Sequence, residues 1–175
     1  CTKLRNTASR QQARTRSKES KQHGELMNSV RIEVPGDPVG KARPRFTRTG
    51  RCYNTKKTKE FESRVANAFL NSGAKQFGES EPLWIDIVAE MTIPKSATKK
   101  VLRAIEDGTV KYLKKPDIDN IVKAVLDGLN GIAFPDDKQI VMLSAFKKYS
   151  KEPKTIICIF GGDHGEERFA ENQNS

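Results

Sequence analysis

Residues 115–145 read KPDIDNIVKAVLDGLNGIAFPDDKQIVMLSA. Ile121, Val122, Val125, Leu126 and Leu129 recur at helical spacing, which predicts a helix over residues 120–130. Pro116 disfavours helix at Lys115, so the helix should start after it, with Asp119 as N-cap and Asn120 as the first helical residue. Asp136 and Asp137 then form a turn, and the apolar run from Gln139 onward reads as a strand. A helix, an acidic turn and a strand in immediate succession are the central unit around which the rest of the chain is placed.

Upstream, Val30, Ile32 and Val34 alternate with charged residues and predict a strand ending at Pro35-Gly36. Residues 36–55 are rich in Gly, Pro and Arg and read as a loop. From Lys56 to Asn71, Phe61, Val65, Ala68 and Phe69 fall at helical spacing, and Ser72-Gly73 ends that helix. LWIDIVAEMTIP, from Leu83, alternates over its length and predicts a long strand. Ser96 is placed to cap a short helix through Ile105. Two strands close the chain, QIVMLSAFKKYS and KTIICIFGG, the second central because it is almost wholly apolar. The order predicts an α/β (α+β) domain, a small mixed β-sheet of about four strands packed with two to three helices.

The chain has 175 residues and a formal net charge of +10. No run approaches the ~18 apolar residues of a membrane helix, so no membrane partner is expected. Cys1, Cys52 and Cys158 are far apart and odd in number, and His23 and His164 are the only histidines. That pattern argues against a disulfide framework or a structural zinc site and for a cytoplasmic setting. Residues 1–26 hold seven Lys/Arg and two Glu, so half of the excess charge sits there. They lack apolar periodicity and are expected to be a disordered basic extension. Two readings stand for it: a basic arm adding non-specific DNA affinity, or an upstream fusion before a natural start at Met27. Residues 163–175 read as a flexible polar tail.

Asp119, Lys123 and Asp127 share one face of the predicted helix, opposite its apolar face, and Asp117 precedes it in an extended segment. Taken alone, an Asp at a helix start is more often a cap, and Asp119 with Lys123 an ordinary surface pair. The Asp136-Asp137 turn changes that balance if the following strand returns beside the helix start. Three or four carboxylates would then converge with one lysine, a costly arrangement without a counter-ion. Oxygen-only ligands favour Mg²⁺, with Mn²⁺ as substitute, over zinc. Residues 38–59, PVGKARPRFTRTGRCYNTKKTK, carry Lys41, Arg43, Arg45, Arg48, Arg51, Lys56, Lys57 and Lys59 and no acid. Phe46 and Tyr53 interrupt the run, a composition suited to phosphates and unpaired bases. Lys147, Lys148, Lys151 and Lys154 form a weaker second patch, expected near a hairpin.

The spacing D-x-D-N-x-x-K-x-x-x-D, here Asp117, Asp119, Asn120, Lys123 and Asp127, followed by Asp136-Asp137 and a strand, resembles the RusA family of Holliday junction resolvases. The P-x-x-K-A-R-P-R loop with Y-N-T-K-K-T downstream is similar to the phage and Gram-positive branch. The resemblance runs from about Val30 to about Phe160 and implies a RusA-like endonuclease domain over residues 27–162. It implies a homodimer that cuts four-way, branched DNA by Mg²⁺-dependent phosphodiester hydrolysis in recombination and repair. Carried over by position, Asp117, Asp119 and Asp137 would bind the metal, with Asp136 beside them as a further candidate. Lys123 would be the catalytic lysine, and Asn120 and Asp127 would support it. Lys41, Arg43 and Arg45, extended to Arg48 and Arg51, would contact DNA. Exposed apolar residues of the helix from Asn120 are the candidate dimer surface. The chain departs from the short bacterial form by residues 1–26 and by the segment from Lys95 to Lys114. Two rivals remain: a non-catalytic, structure-specific DNA-binding module, and a nuclease acting on flaps or forks.

Overall fold

A computed structural model of the chain describes residues 28–42, 45–46, 52–53 and 55–162. The expected basic extension and polar tail lie outside the described residues. The elements run β1 (Ser29–Pro35), β2 (Arg45–Phe46), β3 (Cys52–Tyr53), α1 (Lys56–Asn71), β4 (Leu83–Thr92), α2 (Lys99–Glu106), α3 (Ile118–Leu129), β5 (Ile140–Ser150) and β6 (Lys154–Gly161). The result is the expected mixed α+β fold, with one four-stranded sheet and three helices. Inside the stretch read as a loop, β2 and β3 add a short antiparallel pairing. Among the described residues no helix is long and apolar enough to cross a membrane.

The strand order is β1-β6-β4-β5. β6 is therefore interior, antiparallel to both β1 and β4, while β5 lies parallel to β4 at an edge. The two last strands do not form the expected hairpin, because β4 separates them and the link between them crosses its end. Alternation along β4 puts Leu83, Ile85, Ile87, Ala89 and Met91 on the buried side. Phe61, Val65 and Phe69 of α1 and Ile121, Ala124, Val125 and Leu129 of α3 pack with them in one core. The helices thus supply the stripes that their periodicity predicts.

Helix boundaries differ from the sequence reading at two caps. α2 is capped by Thr98, whose hydroxyl accepts from the Val101 N–H, rather than by Ser96. α3 begins one turn-fraction early: Asp117 holds the extended cap conformation (φ −70°, ψ 148°), and Ile118 is already helical. The start lies just past Pro116, whose steric demand keeps Lys115 out of the helix. Asp119 therefore sits in the first helical turn, where its charge meets the positive end of the helix dipole.

α1 and α3 approach closely at Gly128. A Cβ there would lie 2.7 Å from the Glu62 carbonyl oxygen and 3.0 Å from Val65 Cβ. That crossing fixes α3 against α1 and so fixes where the acidic start of α3 stands.

Candidate active site

The start of α3 presents Asp117, Asp119 and Lys123 to solvent, while Ile121, Ala124 and Val125 anchor the same turns in the core. Asp117 makes no side-chain capping hydrogen bond, so its carboxylate is not spent on its own helix. Asp119 receives only a long contact, 3.4 Å, from the Asn120 amide. Among the described residues, no carboxylate lies within ion-pair distance of Lys123. These three side chains are exposed, charged and uncommitted, while the backbone beneath them is rigidly packed.

The basic loop begins against this helix start. The Lys41 N–H donates to the Asn120 carbonyl at 2.7 Å, and a Cβ on Gly40 would lie 2.8 Å from Pro116 Cβ and 3.1 Å from Asn120 Cβ. Only a residue without a side chain lets the loop lie so near. Between loop and helix opens a cleft of about 780 Å³, bordered by Pro38, Gly40, Lys41, Ala42, Pro116 and Asp117. Two motifs far apart in the chain thus share one cleft, the loop on one side and Asp117 at the start of α3 on the other.

Lys41 itself is held inward. Its ammonium pairs with Asp127, which the sequence reading placed in a support role, and lies 3.6 Å from Glu62. Glu62 Oε1 is buried with no hydrogen-bond partner, so the nearby cation supplies the compensation that a buried carboxylate requires. Lys41 therefore ties the loop to α1 and α3, a role distinct from the DNA contact expected of it. Arg43, Arg48 and Arg51 lie outside the described residues, and Arg45 is described only as the β2 residue opposite Tyr53.

The second acidic pair stands elsewhere. Asp136 caps a short 3-10 turn, Asp137–Gln139, and accepts from the Lys138 N–H at 3.0 Å with the Lys138 ammonium at 3.3 Å. The Lys138 backbone N–H and then its ammonium hold the Asp136 carboxyl below the usual carboxylate range. Gln139 reaches from this turn to the Gly78 and Glu81 carbonyls near the start of β4. The turn follows the C-terminal end of α3, and a helix of 12 residues spans ~18 Å. β5 does return along the helix, but the residue it brings back is Lys147. Its ammonium donates to the Pro116 carbonyl at 2.9 Å and the Lys114 carbonyl at 3.0 Å. Within one chain the two acidic pairs are therefore separated by the length of α3. Among the described residues no three His, Cys, Asp or Glu side chains are placed to hold a metal ion.

The lysines of the second basic patch have partners within the fold. Lys147 is spent on those carbonyls, Lys148 pairs with the buried Glu90, Lys151 with Glu106 and Lys154 with Glu33. Lys148, Lys151 and Lys154 thus each face a carboxylate, while Lys147 keeps its charge among neutral carbonyls. Glu62, Gly40 and Lys147 shape the site and were not legible from sequence. Each acts through a contact far away in the chain, although the Gly- and Pro-rich composition around Gly40 marked its loop.

The family model described as Endodeoxyribonuclease RusA matches residues 35–160. That span includes the loop at Lys41, the acidic start of α3 and the Asp136-Asp137 turn. "Uncharacterized protein YqaN" of Bacillus subtilis (strain 168) is 33% identical over 138 residues, covering 76% of this chain and 96% of the relative.

Proposed function

The chain belongs to the RusA endodeoxyribonuclease family, and on that premise we propose that it is a divalent-metal-dependent nuclease that resolves four-way DNA junctions by paired phosphodiester hydrolysis. The observation that carries this reading is the cleft in which Asp117, free of capping duty, faces the root of the basic loop, with Asp119 in the adjoining first turn of α3. The donor set fits Mg²⁺ or Mn²⁺: exposed carboxylate oxygens, free of capping duty and, among the described residues, without a histidine or cysteine grouped with them. Asp117, Asp119 and Asp137 would hold the ion, which when bound activates water and stabilises charge on the scissile phosphate.

Lys123, one turn beyond Asp119 and unpaired among the described residues, is placed to neutralise the phosphate or the leaving oxygen. Asp136 serves the turn as a cap and presents Asp137 at its side. Asn120 holds the loop through its carbonyl, and Asp127 holds it through Lys41. Residues 27–162 form the nuclease domain in this reading, with the flanking segments outside it.

A homodimer supplies what one chain separates. β5 is an edge strand of 11 residues, and Val141, Leu143 and Phe146 on it are 61%, 37% and 50% exposed. The apolar surface expected on α3 is mostly buried, so β5 is the better interface. Antiparallel pairing of two β5 edges about a two-fold axis sets the start of one strand beside the end of the other. Asp137 of one copy then approaches the Lys147 end of its partner, where Pro116 and Asp117 stand. The dimer so built offers two metal sites to the two opposed strands of a junction.

The test is cleavage of a synthetic mobile four-way junction, set against duplex and flap DNA, with Mg²⁺ and with EDTA. Paired nicks on the junction alone, lost in EDTA, are the expected result. Tight junction binding without a cut in Mg²⁺ or Mn²⁺ would replace the enzyme reading with that of a binding module. Equal cutting of flaps would move the substrate.

A further inference from the structure

The segment between α2 and α3 runs directly into Asp117. Its tip is Leu113, 90% exposed, in the sequence Lys111-Tyr112-Leu113-Lys114-Lys115. A single exposed apolar residue is ordinary on a protein surface. This one is not on a loose loop. The Tyr112 ring packs edge-on against Tyr149 of β5 at 4.9 Å, and its hydroxyl donates to the Lys115 carbonyl at 3.0 Å. Lys147 closes the other side, with its ammonium 5.2 Å from the Tyr112 ring centroid and bonded to the Lys114 and Pro116 carbonyls. The Val110 N–H is tied back to the Ala104 carbonyl at 3.0 Å. Both residues flanking Leu113 are thus fixed to the sheet, and the leucine is turned out among the exposed Lys111, Lys114 and Lys115.

We propose that Leu113 is a wedge that enters an opened base step at the branch point of the DNA bound in the neighbouring cleft. The inference rests on the branched-DNA reading above and gives it a recognition element. Lysines attract any duplex equally, because phosphate charge does not report branching. An apolar side chain that inserts between bases gains only where stacking is already interrupted, so its contribution separates junction from duplex. Lys111, Lys114 and Lys115 around the tip suit a polyanion and disfavour an apolar partner surface. The four-residue distance from Leu113 to Asp117 sets the wedge beside the carboxylates, so that cutting falls close to the branch.

The experiment uses the full chain carrying Asp117→Asn, so that DNA is bound but not cut. A four-way junction with 2-aminopurine at the branch point and a matched duplex are titrated with this parent, with Leu113→Ser added, and with Leu113→Phe added. The parent should bind the junction in preference and raise the 2-aminopurine emission. Leu113→Ser should abolish the rise and lower the junction-over-duplex affinity ratio about tenfold. Leu113→Phe should restore both. Unchanged emission and ratio in Leu113→Ser, with the parent still preferring the junction, would overturn the wedge and leave the substrate reading standing. A parent without junction preference would overturn the substrate reading and the wedge with it. Dissociation of the Leu113→Ser protein to monomers, read by sedimentation, would overturn the wedge in favour of a contact between copies.

Discussion

Asp117 and Asp136 are both N-cap residues in extended conformation, yet they are spent differently. The Asp136 carboxylate accepts the Lys138 N–H and pairs with its ammonium, whereas Asp117 accepts no capping bond. Asp117→Asn should therefore abolish cleavage while junction binding persists, measured by gel shift beside a nicking assay. Lys123→Ala should lower the cleavage rate ~100-fold or more with little change in affinity, since one cation among many contributes little to binding. A collapse of affinity would make Lys123 a binding residue. Asp136→Ala should act on folding rather than on chemistry. Its carboxyl is held below the usual range in the folded state, chiefly by the Lys138 N–H. The stabilisation is then fully present above the ordinary carboxylate pKa and is lost as pH falls through the lowered value. Denaturant titrations should show the wild type more stable than Asp136→Ala at neutral pH, with the gap closing in acid.

Elements meet at two glycines, and each tests a different junction. Gly128 lies where α1 and α3 cross, with the Glu62 backbone oxygen 2.7 Å from any added Cβ. Backbone cannot rotate away as a flexible side chain can. Gly128→Ala should thus destabilise the fold by about 1–3 kcal/mol, read by denaturant unfolding. Gly40 lies where the basic loop meets α3, and Gly40→Ala should push the loop off Pro116 and Asn120. Cleavage should then fall with a smaller loss of stability, because the core is not part of that contact. The two variants separate positioning of the helix from positioning of the loop.

At the scale of the whole molecule, a single chain keeps Asp117 and Asp137 apart by the length of α3, and the dimer proposed along β5 would reunite them. Mixed dimers decide between the arrangements. In a dimer of one Asp117→Asn chain and one Asp137→Asn chain, a site shared between copies leaves one site wholly wild type. Single-strand nicking should therefore reappear when the two inactive variants are mixed and refolded together. If every site belonged to one chain, both sites would carry a substitution and the mixture would stay inactive. Val141→Lys with Phe146→Lys should independently yield monomers, seen by sedimentation, because like charges would face each other along the paired edge.

The sequence by itself determined the main helices and strands and the family motif. Period-two alternation in Leu83–Thr92 and helical spacing in Ile121–Leu129 are local consequences of burial on one side, so they can be read without knowing what covers them. Pro116 marked the helix start to within two residues, and the acid pattern from Asp117 to Asp127 marked the motif. The caps slipped because several Ser, Thr and Asp residues compete within one turn, and packing of the helix decides among them. Tertiary structure alone decided which charges are spent. Lys41 and Lys147 look like surface cations in sequence, but Asp127 with the buried Oε1 of Glu62, and the carbonyls of Lys114 and Pro116, claim them. It also decided that β6 inserts between β1 and β4, leaving β5 at an edge with its acidic turn far from Asp117. Strand order depends on contacts between distant segments, and no local pattern encodes it.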